Sequence, residues 1–563
     1  MTTIDTRPDD AVAADDASPS AIEGFAVGTF HWITTVDHKR IGRLYAGFGM
    51  LVLIATSVLG LLLGAERADD ANTIFDADAL LQVFQMYRIG IVFGGLVPLA
   101  LGLAVAVVPL QLGARSIAYP RLALTGFYAW LGGFTLAIVA LGANGGMGGG
   151  EPDMVDLFLA AIGLMVLGLS ATAGCVATSV LTTRAPGMTM RRVPLFAWAC
   201  LIGALGMLIA LPVVFGVVIY LFVDHRLGIS ANFGGTEGIG SWLGWVFSVP
   251  AIIIYALPGI GVAAEMFPAT FKTRQAMRGA MFAGMALVGV VAFSASTQQF
   301  IHDVTFDTDG ESFIRDALPW LIFGGLPLLG VFMVLMLGLL TVKNGVADAR
   351  PSVRAPFVFA FLGLLMIILG VASSFIMGIT DLELAVPDLA LVTVFEEGAT
   401  LFVVYGTALA IIGGLIFWAP KLWGRLLPDK QVLPLAMLGL LGTVLAAGPL
   451  LVAGFLNQIG GVPSTDLEVQ ALLATGDVDG GALWNYLSLA GHTLMALTVL
   501  AFAALLLKVA TGDPDEDLED NPYGGQTVEW STSSPAPAHN FEHVVTVSSA
   551  EPLLDAELEG SQS

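Results

Sequence analysis

Charge is scarce in this chain, cysteine nearly absent and histidine rare. Only 12% of its 563 residues are charged while 56% are hydrophobic, at a mean hydropathy of +0.82. A water-soluble domain carries about a quarter charged residues, so a soluble chain is excluded. The two cysteines, Cys175 and Cys200, both lie in apolar runs. That excludes a secreted disulfide framework and leaves them as small packing residues. With 23 basic residues against 46 acids and a net charge of −23, nothing favours nucleic acid as a partner. No apolar stretch precedes Phe25, so neither a cleaved signal peptide nor a transit peptide is expected.

What the chain has instead is a series of long, continuous apolar runs. A bilayer core takes roughly 20 helical residues to cross, and lipid offers backbone groups no hydrogen bonds, so continuous rather than alternating runs must be helices. The fold class expected is all-α and polytopic. Twelve spans are read near 41–65, 81–112, 123–143, 154–182, 193–223, 240–267, 277–301, 316–342, 355–379, 391–419, 431–456 and 481–510.

Loop charge supports that count. With the N-terminus placed in the cytoplasm, eighteen basic residues fall on the cytoplasmic side, from Lys39 to Lys508, and only Arg67, Arg226 and Arg315 on the other. This is the positive-inside bias, and it puts both termini in the cytoplasm. The domain organisation read is a disordered acidic tail over 1–30, a membrane domain over 31–511 and an acidic cytoplasmic tail over 512–563. The tails hold six acids (1–30) and twelve (513–563) against one basic residue, Arg7, and are expected to be disordered and solvated.

Several segments carry a resemblance. They include Thr34-Thr-Val-Asp-His-Lys-Arg-Ile-Gly-Arg-Leu-Tyr45, Pro109-Leu-Gln-Leu-Gly-Ala114, Ala118-Tyr-Pro-Arg-Leu122, Leu257-Pro-Gly-Ile-Gly261, Phe417-Trp-Ala-Pro-Lys421 and the tail Asp520-Asn-Pro-Tyr-Gly-Gly-Gln-Thr-Val-Glu-Trp530. With Arg184–Trp198 and the twelve spans, this resembles subunit I of the haem-copper (cytochrome c) oxidases from about residue 30 to 541. The resemblance implies a twelve-helix bundle in the plasma membrane of a prokaryote, partners like oxidase subunits II and III, and a place in a respiratory chain. It also implies two haems and one copper ion held by six histidines of helices two, six, seven and ten.

Those histidines are replaced. Where the family has Met-His-Gly, this chain has Met86-Tyr87-Arg88; where it has His-Pro-Glu-Val-Tyr, Val249-Pro-Ala-Ile-Ile253; the paired histidines of helix seven fall at Thr297 and Gln298, and those of helix ten at Gly398 and Thr400. The family's proton-path and haem-anchoring positions fall at Ser116, Ala123, Gly330 and Ser464-Thr465. The chain is therefore read as a divergent member with no catalytic residues, no metal site and no cofactor.

Ionisable residues within spans are costly and mark candidate sites. The sharpest candidates are Arg88, Glu396 and Glu397: the arginine is expected either to pair with one of the glutamates, tying helices two and ten across the haem cavity, or the glutamates reach solvent. Tyr87 as a haem-iron ligand is the weaker reading. His492 is read as a satisfied packing histidine, with a proton relay as the other possibility, and Glu265 as an interfacial or snorkelling residue. Ile252, Ile253 and Phe402 are candidates to fill the cavity, which otherwise collapses or holds lipid. Three functions are weighed: a structural, assembly or regulatory subunit without oxygen reduction, an active oxidase with atypical ligands, and a transporter using the emptied cavity.

Overall fold

A computed structural model describes residue 30 and residues 32–68, 74–147, 150–228, 240–297, 310–345, 353–379, 385–386, 391–456, 459–460 and 481–560. Among the described residues, twelve helices have the length and apolarity to cross a membrane: α1 His38–Ala68, α2 Ala79–Gln111, α3 Pro120–Gly142, α4 Pro152–Thr182, α5 Leu195–Arg226, α6 Ile253–Thr270, α7 Arg278–Ser296, α8 Ala317–Gly345, α9 Ala355–Met377, α10 Val394–Trp423, α11 Asp429–Phe455 and α12 Gly481–Ala510. A thirteenth, α13 Pro552–Gly560, belongs to the tail. Apart from helix six, the spans fall where the apolar runs put them, and the protein is an integral membrane protein.

Burial separates centre from rim. The apolar windows of α2 and α10 are wholly buried and that of α6 is 94% buried, whereas those of α3 and α12 are 33% buried. Hence α2, α6 and α10 form the axis and the other helices enclose it. Helix α1 packs on α2 and α12, α10 packs between α9 and α11, and α6 touches α5, α9 and α10.

Two axial helices depart from regular geometry. Residues Gly90–Leu96 of α2 form a π-helical turn, which inserts a residue into the helical register just beyond Tyr87 and Arg88. Helix six, expected over 240–267, is split into a short helix Gly240–Trp245 and α6 from Ile253. Pro250 accounts for the break: it lacks an N–H and disfavours helical backbone at Val249. The freed Val249 N–H points to Glu396 Oε1 at 3.4 Å.

The all-α expectation needs one small addition. Strands β1 Ala385–Val386, β2 Leu391–Thr393 and β3 Ile459–Gly460 pair antiparallel in the order β1-β2-β3, just before α10 and after α11.

The expectation of a disordered C-terminal tail is corrected. Residues 511–560 lie across the helix ends that carry the basic loop residues, with Val528, Trp530, Phe541, Val547 and Leu554 buried. Arg278 pairs with Glu551 at 2.8 Å and Arg274 with Asp555. Lys39 Nζ donates to Asn540 Oδ1 at 2.9 Å, and Arg354 Nη1 to the Pro522 carbonyl at 3.0 Å. The tail's acidity had suggested solvation, but its spaced apolar residues are anchored and its charge is met by these cations. The proposed N-terminal tail lies outside the described residues, Phe30 apart.

Candidate functional site

The first turn of α10 supplies two carboxylates. Thr393 Oγ1 caps the helix by accepting from the Phe395 N–H at 3.3 Å, and Glu396 and Glu397 follow in the turn where the helix dipole favours negative charge. Both glutamates are buried, at 3% and 4% exposure, so they do not reach solvent as isolated charges.

Each meets its own arginine. Arg88 of α2 pairs with Glu396, and Arg67, in the last turn of α1, pairs with Glu397 at 2.8 Å. Glu396 Oε1 also accepts from Thr400 Oγ1 at 2.7 Å, and both guanidinium groups lie near the Phe84 ring, at 5.9 and 5.8 Å. A buried charge costs several kcal/mol unless paired and hydrogen-bonded; here two acids and two bases neutralise one another.

A neutral hydrogen-bonded set continues this cluster into the bundle. Tyr405 Oη of α10 and His492 Nδ1 of α12 share a hydrogen bond at 2.7 Å, and Tyr405 Oη lies 3.2 Å from Ser57 Oγ of α1. The His492 ring sits edge to face with Tyr87 at 6.0 Å and with Tyr405 at 5.8 Å. It packs directly on Gly60 of α1, where a Cβ would lie 2.7 Å from the imidazole. Asn485 of α12 donates to the Arg67 carbonyl at 3.1 Å. Helices α1, α2, α10 and α12 are thus joined by one polar cluster.

The residues at the remaining sequence-derived positions are packing residues. Val249 is buried, as are Ile252, Ile253 and Phe402. A Cβ on Gly398 would lie 2.8 Å from the Ala447 carbonyl of α11. Thr297 ends a short helical segment and its side chain lies outside the described residues, as do Gln298, His302 and Ser464-Thr465. Between α2, α4, α5 and α6, Val97, Leu101, Cys200, Met207 and Tyr255 line a small apolar cavity of about 10 Å³.

Comparison with known proteins agrees with this architecture. The family model for cytochrome c and quinol oxidase polypeptide I matches residues 40–494. The chain belongs to this family. Its relatives include the probable cytochrome c oxidase subunit 1-alpha of Streptomyces coelicolor, 28% identical over 558 residues covering 93% of this chain and 89% of the relative. Cytochrome c oxidase subunit 1 of Bacillus subtilis is 26% identical over 569 residues, covering 95% and 85% of the two chains. The heme-copper oxidase subunit I+III of Aeropyrum pernix is 27% identical over 557 residues, 94% of this chain and 63% of that longer one.

Membership corrects one expectation outright. Subunit I of the haem-copper oxidases carries haems and copper, so a chain without cofactors does not follow from the replaced positions. The donors present are a separate matter. Among the described residues no three of His, Cys, Asp and Glu cluster as metal ligands. His492 commits Nδ1 to Tyr405, His38 is hydrogen-bonded to the Val105 carbonyl and Asn540, and no side chain larger than hydrogen fits at Gly398 without moving α11. These residues do not fit the family's six-imidazole arrangement.

Other residues stand elsewhere than expected. Glu265 does not snorkel: it is 6% exposed, accepts from the Phe196 N–H at 3.2 Å and faces the tail at Thr527. Enclosure by α5 and the tail leaves it no route to solvent. His225, in the last turn of α5, meets Asp156 of α4 at 2.7 Å beside Arg226. Sequence reasoning placed Arg67 in an outer loop. Its signal is a cation at the end of a span, 330 positions from Glu397 in the chain.

Proposed function

We propose that this protein is a cytochrome c oxidase subunit I-like membrane subunit that serves a structural, assembly or regulatory role in a respiratory-type complex, without reducing oxygen itself. The observation that carries this reading is the paired cluster Arg67–Glu397 and Arg88–Glu396, with His492 and Tyr405 beside it. It fastens α1, α2, α10 and α12 together, with Arg88 next to Tyr87 and Glu397 next to Gly398, two positions where the resemblance puts haem ligands. A set of mutually neutralised, hydrogen-bonded side chains suits a fixed joint between helices.

The partners proposed are proteins like oxidase subunits II and III within the lipid bilayer. A single chain named subunit I+III in Aeropyrum pernix supports the second of these. The eighteen-to-three distribution of basic loop residues supports a plasma membrane topology with both termini cytoplasmic. The bulk of the chain's charge on that face, joined to the docked tail, offers a broad polar surface for a partner.

Affinity purification of the tagged chain from its native membranes tests the role. Recovery of subunit II- or III-like proteins in stoichiometric amounts supports it. Recovery of the chain alone, with uptake of a solute that stops when Glu397 is replaced by Gln, would instead establish a transporter.

A further inference from the structure

Where the tail meets the bundle, a carboxyl group is buried without a cation bound to it. Glu529 has 0% exposure. Its Oε1 accepts three hydrogen bonds: from Gln111 Nε2 of α2 at 3.1 Å, Trp418 Nε1 of α10 at 3.1 Å and Thr527 Oγ1 at 2.8 Å. Its Oε2 is equally buried and has no protein partner, and the same holds for Gln111 Oε1 on the amide already bonded to it. Two acceptor oxygens left unsatisfied on two joined groups each cost on the order of 1–3 kcal/mol. A single proton on Oε2 removes both deficits, because the carboxylic acid then donates to the amide oxygen while the amide N–H donates to Oε1.

The charged surroundings agree. Glu265 of α6 lies across Thr527, whose hydroxyl is 3.5 Å from Glu265 Oε1, so two carboxyl groups share an enclosed site, an arrangement that disfavours both being ionised. Arg278 of α7 acts on Glu265 and is paired with Glu551. Lys421 of α10, which Glu529 also influences, directs its ammonium to the Thr532 carbonyl. Burial raises Glu529 above the ordinary glutamate range, against its hydrogen bonds to Trp418, Thr527 and Gln111.

We propose that Glu529 and Gln111 form a proton-binding site that latches the C-terminal tail to the bundle: protonated, the site is satisfied and the tail stays docked; deprotonated, a buried anion faces Glu265 and the tail is released. The ligand is one proton taken from the medium on the tail's side of the membrane. Residues 512–560 then shield or uncover the basic helix ends Arg274, Arg278, Lys39 and Arg354 according to pH.

Limited proteolysis of the full-length protein in nanodiscs tests this, with tail cleavage read by mass spectrometry and normalised at each pH to an unstructured reference peptide. For the native chain the normalised cleavage rate, followed from pH 4 to pH 9, rises from the ordinary glutamate range upward by about tenfold per pH unit and levels off once the docked carboxyl has ionised. Glu529→Gln, which keeps a donor at that position, stays protected and flat across the range. Glu265→Gln, lacking the neighbouring negative charge, shifts the midpoint to lower pH. A native profile flat with pH, a Glu529→Gln profile that matches the native one, or an unmoved midpoint in Glu265→Gln would overturn the proposal.

Discussion

Replacing Arg88 by Met leaves Glu396 as a buried carboxylate without its cation. Removing one partner of a buried pair costs about 3–5 kcal/mol. Glu396 keeps the Thr400 hydroxyl at 2.7 Å and the distant Val249 N–H at 3.4 Å, and the Arg88 side chain is 15% exposed, so the lower end, about 3 kcal/mol, is expected. Glu396→Gln alone strands the guanidinium, which can turn part of its length towards solvent, and costs about 2 kcal/mol. The double variant Arg88→Met/Glu396→Gln removes both charges and loses about 2 kcal/mol, less than Arg88→Met alone, because well-packed neutral groups replace a buried ion pair at small cost. The coupling energy from this cycle, the two single losses less the double one, is therefore about 3 kcal/mol. It is measured by equilibrium unfolding in mixed micelles with increasing sodium dodecyl sulfate. Strictly additive single and double variants would refute a buried, mutually neutralising pair.

Gly60→Ala places a methyl 2.7 Å from the His492 ring and should destabilise the protein by about 1–3 kcal/mol; in a His492→Ala background the same change costs much less, and the same micelle titration reports it. Tyr405→Phe deletes the hydrogen bond to His492 and the contact with Ser57, which costs about 1 kcal/mol. For Asp37, burial opposes ionisation but the Lys39 and His38 charges and the Lys39 hydrogen bonds outweigh it, so its carboxyl sits below the ordinary aspartate range. A depressed carboxyl stabilises the fold above its unfolded value and loses that contribution as pH falls through the folded one. Asp37→Asn should therefore flatten the acid limb of the stability profile, as seen in melting curves between pH 3 and pH 6.

The helices were legible because lipid makes the signal coarse: an apolar run of the right length has one solution, and twelve such runs appear as twelve spans. Arg88, Glu396 and Glu397 were legible for a related reason, since ionised side chains within spans are few. Which glutamate Arg88 meets was not, because the choice depends on the splitting of helix six, which brings the Val249 N–H beside Glu396, and on Arg67 taking Glu397. Arg67 itself looked like a loop cation, as its place is set by how α1 packs on α2 and α12. The tail misled for the opposite reason. Its average composition is that of a solvated segment, while what docks it is a handful of particular residues, Val528, Glu529, Trp530 and Asn540, whose partners are hundreds of positions away. The absence of haem and copper did not follow from the replaced positions, because membership of the family overrules an inference from ligands alone.

The central claim is that the paired cluster holds a subunit together and does not serve oxygen reduction. Oxygen uptake by the purified native complex, driven by reduced cytochrome c or by a quinol, tests it most directly when the complex is compared with one carrying Arg88→Met/Glu396→Gln. Uptake by this chain is expected to be no higher than a no-protein control, with the double variant equally inactive and still assembled because neutral groups replace both members of the pair. Sustained uptake that the double variant abolishes would contradict it and make the cluster part of an oxidase at work.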